Sequence, residues 1–172
     1  MSDTPKGIRA KLAAIVAELH CPKTGEVKDW QGRKQYNYRN LVGIFETIKP
    51  LLKKYGCILK ITDDVIVIGE SITPVFEQDA KGVKHMIAGP HYYIRATATI
   101  TDVETGESES ATSCAREAEY RKGLDPSQQT GSTSSYAGKY AAEHLFCLDS
   151  SKDADELAAE TQSKPDTSGM DF

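Results

Sequence analysis

A chain of 172 residues is long enough for one domain with a real hydrophobic core and too short for two ordinary domains with linkers. With 39% apolar and 27% charged residues and no apolar run near the roughly 20 that cross a bilayer, the composition excludes a wholly disordered chain and a membrane-spanning helix. The net charge of −4 counts against a binder of polyanions until it is divided: residues 1–148 carry +1, residues 149–172 carry −5, and residues 21–60 hold nine bases against three acids.

The N-terminus lacks the charged and apolar regions of a secretory leader, so the expected location is cytoplasmic, in the host cell if the chain is phage-encoded. Within residues 7–20, Ile8, Leu12, Ile15, Val16 and Leu19 recur at spacings that predict an amphipathic first helix. Cys21 to Gly25 is turn-rich, and Glu26–Trp30 and Lys34–Tyr38 flank Gln31-Gly32-Arg33 as a short basic hairpin or loop.

Leu41, Ile44, Phe45, Ile48, Leu51, Leu52 and Tyr55 predict a second helix over 41–55, capped by Asn40 and ended by Gly56. Pro50 lies inside it, where the missing amide donor should kink the helix or begin a new turn. From Cys57 the period becomes extended, giving one or two strands through Ile58–Ile61 and Val65–Ile68, with Asp63-Asp64 read as a turn. Ser71–Phe76 and Lys84–Ala88 flank a turn at 78–82. His91–Asp102 alternates as a half-buried strand, and Glu104-Thr105-Gly106 turns into a further strand over 107–115.

Asp125 and Pro126 open a third helix over about 126–146. Beyond Leu148 almost no apolar anchor remains, so residues 149–172 are expected to be a disordered acidic tail behind a domain at 1–148. The class is α+β, an antiparallel sheet backed by helices. The four cysteines, Cys21, Cys57, Cys114 and Cys147, have no zinc-ligand spacing and are expected to be reduced and mostly buried, with Cys57 and Cys147 slow to react.

Two blocks carry a functional signal. Tyr36-Asn37-Tyr38-Arg39-Asn40-Leu41 leads into a helix that ends Lys49-Pro50-Leu51-Leu52-Lys53-Lys54-Tyr55-Gly56. After a β-rich centre comes Gly131-Ser132-Thr133-Ser134-Ser135-Tyr136-Ala137-Gly138-Lys139-Tyr140-Ala141-Ala142. In this order, over about residues 36–155, they resemble the ERF (essential recombination function) family of phage single-strand annealing proteins. One departure is Gly138, where many members carry a second base beside the position of Lys139.

The resemblance implies a sheet of the annealing-recombinase kind and protomers assembled in rings or filaments on single-stranded DNA. It also implies ATP-independent annealing of complementary strands in phage-type homologous recombination and repair, with no cofactor, metal or catalytic residue. Its expected partners are single-stranded DNA, further copies of the chain, and a host single-strand-binding protein or a phage exonuclease; no membrane is expected.

Annealing needs phosphates neutralised by Lys and Arg while aromatic rings stack on bases. In the basic segment Arg33, Lys34 and Arg39 are the candidates, and Tyr36 and Tyr38 share one strand face, fit equally for stacking or for the core. Lys139, flanked by Tyr136 and Tyr140, is the leading DNA contact, weighed against a surface ion pair with Glu143; Arg116, Arg121 and Lys122 follow. Gly131, Ala137, Gly138, Ala141 and Ala142 are small enough to let the third helix approach a sheet or a neighbouring protomer closely.

Two alternatives are weaker. A metal-dependent nuclease would draw on Asp63-Asp64, Glu107 with Glu109, and His85 or His91, residues more ordinarily solvated or structural. A passive single-strand binder of the OB kind would be all-β, against three helical patterns. No phosphate loop is present, and Ser132, Ser134 and Ser135 lack a nucleophile elbow.

Overall fold

The computed structural model describes residues 5–69, 73, 75–80, 82, 84–118 and 123–148. Among the described residues three helices, α1 (Ile8–Glu18), α2 (Leu41–Tyr55) and α3 (Pro126–Leu145), accompany seven strands. These are β1 (Gly25–Lys28), β2 (Lys34–Tyr38), β3 (Cys57–Ile68), β4 (Val75–Gln78), β5 (Lys84–Ala88), β6 (His91–Asp102) and β7 (Ser108–Arg116). All pairing is antiparallel: a three-stranded sheet ordered β3-β6-β7, and the two hairpins β1-β2 and β4-β5. The tail proposed for 149–172 lies outside the described residues, as do Arg121 and Lys122.

Strand β6 shows why the sheet has two unlike faces. Successive side chains alternate, so Ile94, Ala96, Ala98 and Ile100 are buried against the helices. Arg95, Thr97, Thr99 and Thr101 point the other way, where hydroxyls bridge to β7 at Thr97–Thr112 (3.2 Å) and Thr101–Ser108 (2.8 Å). On the buried face, alanine meets alanine. Ala96 and Ala98 on β6 and Ala137 and Ala141 on α3 are all fully buried in one cluster, and small side chains on both sides let the helix lie close to the sheet. Gly138 is buried in the same stretch beside Ile61 and Leu41, whereas Gly131 is exposed with no neighbour that a Cβ would meet within 4 Å.

The helix ends follow local chemistry. The Asn40 side chain accepts from the Gly43 amide (2.7 Å), and Gly56 closes α2 in the left-handed conformation at φ 64°. Asp125 accepts from the Ser127 and Gln128 amides ahead of Pro126. Helix α1 has no side-chain cap of its own; Gly7 precedes it, and the Ile8 amide donates instead to Glu107 from the β6–β7 turn (3.2 Å). The same turn region receives the rest of the helix through Arg9 to Glu109 (2.7 Å) and the buried pair Lys11–Asp102 (2.8 Å).

Several expectations are corrected. Asp63-Asp64 is no turn: β3 runs through it in unbroken register with β6, Asp63 accepting from Ser134 of α3 and Asp64 pairing with Arg95 (2.9 Å). Cross-strand and helix partners thus hold two carboxylates that local propensity assigns to a break. Helix α2 continues through Pro50, because Pro50 and Glu46, whose carbonyl loses its amide partner, both lie on the exposed side. Cys21 and Cys57 are buried, but Cys114 and Cys147 are exposed, Cys147 because it turns the chain out of α3 at φ 51°.

Candidate nucleic-acid interface

A cleft of about 550 Å3 lies between the β1-β2 hairpin and α3. The hairpin supplies Tyr36 and Tyr38, two residues apart and so on one face of β2, both half-buried. Tyr38 pairs with Gly25 across the hairpin, and a Cβ at Gly25 would come within 2.6 Å of the Tyr38 ring; the glycine is what lets that ring lie across the strand. Leaving β2, Arg39 enters the cleft and is held from behind: its Nε donates to the Cys21 carbonyl (2.7 Å), and a second nitrogen lies 4.0 Å from Glu143. Its side chain is 12% exposed.

Helix α3 supplies the opposite wall. Tyr136 and Tyr140 are one turn apart, so their rings meet edge to face with centroids at 4.8 Å and hydroxyls at 3.1 Å. The Lys139 ammonium rests over both rings, 4.0 Å from the Tyr140 centroid and 5.2 Å from that of Tyr136. Lys139 is buried, and among the described residues no carboxylate forms an ion pair with it. The surface pair with Glu143 weighed from the sequence is therefore not what forms: Glu143 reaches Arg39 instead, joining α3 to the end of β2.

Five candidates named from the sequence thus converge: Tyr36, Tyr38, Arg39, Tyr136 and Lys139. Arg33 and Lys34 sit at the turn of the same hairpin, outside the cleft. Arg33 is exposed but bound to Asp29 (2.8 Å), whose carboxyl it holds below the usual range, and Lys34 lies 3.6 Å from Glu26. The Asp29 carboxylate also accepts the Gln31 and Arg33 amides, so the turn is rigidly bonded and presents Trp30, 90% exposed, at its tip. Arg116 ends β7 beside His91 (2.8 Å) and does not line the cleft.

Sequence reasoning left out Tyr140 as a wall and Glu143 as a tether. The four-residue spacing from Tyr136 to Tyr140 was signal enough for the first; nothing local announces that Glu143 meets Arg39, 104 positions away. Among the described residues no group of three or more His, Cys, Asp or Glu could hold a metal ion, and no helix is long and apolar enough to cross a membrane.

A family model described as the ERF superfamily matches residues 8–170. The chain is 41% identical over 150 residues to the "Essential recombination function protein" of Salmonella phage P22, an alignment covering 87% of this chain and 60% of that relative. No solved structure matches. With the tyrosine-rich entry to α2 and the Gly-Ser-x-x-Ser-Tyr-Ala-x-Lys-Tyr-Ala block both inside the matched range, the chain belongs to the ERF family.

Proposed function

We propose that the protein binds single-stranded DNA and anneals complementary strands in phage-type recombination, without hydrolysing a nucleotide. The observation that carries this reading is the cleft, where two cations and four tyrosine rings are brought together from segments about 100 residues apart. A cation-and-ring cleft suits a strand that must be held by its backbone with bases within reach of rings. Base pairing itself supplies the free energy, so the protein acts as a binder rather than an enzyme. Copies assembled along DNA in rings or filaments would align many such clefts, and a host single-strand-binding protein or a phage exonuclease would deliver the strand. The name of the phage P22 relative supports a part in recombination.

The test mixes labelled complementary oligonucleotides with the purified protein, without ATP, and follows duplex formation by energy transfer. Annealing well above the spontaneous rate is expected. A spontaneous rate with strands bound leaves a passive binder, and strands cut in the presence of magnesium would replace the reading with a nuclease.

A further inference from the structure

We infer that the cleft between β2 and α3 takes one nucleobase lifted out of the strand, so that each protomer withholds a single base from pairing while presenting its neighbours. This rests on the proposed binding of single-stranded DNA and adds to it which part of the strand the cleft holds.

The lining decides between base and backbone. The two cations here are held in place, Arg39 by the Cys21 carbonyl and Glu143, Lys139 against the ring faces it rests over, so they can meet one phosphate at the rim but cannot follow a length of backbone. Four tyrosines, with Val27 and Leu41, make the lining of the cleft mainly apolar. Its volume of about 550 Å3 falls in the range of pockets that enclose a small ligand, about 300–1,000 Å3.

A flat aromatic group with a negative charge attached fits that lining: the ring lies against tyrosines, and its phosphate stays at the rim within the field of Arg39 and Lys139. Asn40, whose side-chain oxygen caps α2, Ser132, whose hydroxyl donates to the Gln129 carbonyl, and Ser135 also line the cleft, leaving an amide NH2 and hydroxyl oxygens to meet a base edge without choosing among bases. Lifting a base from a single strand costs little, because no pair is broken.

The experiment compares two labelled 30-mers, one of thymidines and one of the same length made entirely of abasic sugar-phosphate, binding to the full chain at one salt concentration. The thymidine strand is expected to bind about 5- to 150-fold more tightly, the range for stacking one base on an aromatic side chain. Tyr136→Ala should remove most of that difference and Tyr136→Trp should restore it; Tyr136 is 54% exposed, so its truncation spares the core. A 5-iodouracil strand irradiated on the protein should crosslink to Tyr36, Tyr38, Tyr136 or Tyr140. Equal affinity for both strands, or crosslinks confined to other residues, overturns the base pocket while DNA binding stands. Failure of both strands to bind overturns the functional reading and the pocket with it.

Discussion

Lys11 on α1 and Lys139 on α3 are both buried, at 4% and 7% exposure, and their surroundings differ in kind. Lys11 faces a carboxylate: Asp102, 1% exposed, accepts from its ammonium at 2.8 Å and from the Glu104 amide at 3.0 Å. Lys139 faces rings. A carboxylate cancels the charge of a cation, so the pair offers no net charge, whereas a ring face leaves the cation's unit charge in place and able to attract an incoming anion. The first arrangement closes a corner of the fold, docking α1 on the β6–β7 turn; the second keeps a wall of the cleft receptive. If the cleft binds DNA as proposed, burial of a lysine does not distinguish structure from function in this protein, but the chemistry of its neighbour does.

The contrast breaks most visibly at Asp102. Asp102→Asn should lower the thermal unfolding midpoint more than any other change considered, since it strands a buried ammonium, and Lys11→Met should do likewise. The double variant Lys11→Met with Asp102→Asn should be less destabilised than the two losses added together. Circular dichroism melts of all four proteins check this; additive losses would mean that the pair is two separate packing sites.

The pair also sets a pH dependence. Its hydrogen bond to Lys11 holds the Asp102 carboxyl below the usual range, and the same bond raises the Lys11 ammonium above its own. A carboxyl lowered in the folded state contributes stability above its unfolded value and loses it as pH falls through the folded one. The raised lysine contributes until pH climbs through the top of the lysine range. Glu18, lowered by Lys54, adds to the acid side. Stability should therefore fall in acid below the ordinary carboxylate range, and fall less steeply in Asp102→Asn, as read by urea midpoints across pH.

At the other lysine the effect belongs to binding. Lys139→Ala should weaken binding to single-stranded DNA and reduce the log–log salt slope by roughly 0.7, the share of one phosphate contact. Titration at several salt concentrations measures it; lower affinity with an unchanged slope would show that Lys139 serves by steadying the tyrosine rings. Smaller again is the cap of α2, where Asn40→Ala should cost about 0.5–2 kcal/mol by loss of the bond to Gly43. Smallest in energy is the thiol pattern: Cys114 and Cys147 should react with a maleimide well before Cys21 and Cys57, the last of which burial pushes up.

The sequence made α2 legible from Leu41 to Tyr55, because its period, cap and terminal glycine agree. It foretold the long β6 for the same reason, side-chain alternation being local; β1-β2 was open between hairpin and loop, and β4 takes in Gln78, which turn chemistry assigns to the turn. Asp63-Asp64 was misread because its support comes from Arg95 and Ser134, far along the chain. Lys11 was missed because a lysine on the apolar side of a helix looks like an irregularity until Asp102 is placed opposite. In the cleft, residue types were readable and their convergence was not: Tyr36 and Tyr136 are 100 positions apart, and only the docking of α3 on the sheet makes them one wall and the next.

The rigid tip of the β1-β2 hairpin has an optical consequence. Trp30 is the single tryptophan of a chain with eight tyrosines, and it stands in water beyond the last paired residues of the hairpin. Excited at the red edge of its absorption, where tyrosine is nearly transparent, the whole protein emits from one known address. Whatever settles on the hairpin tip, whether a passing strand or the flank of another copy, will announce itself as a change in colour or brightness.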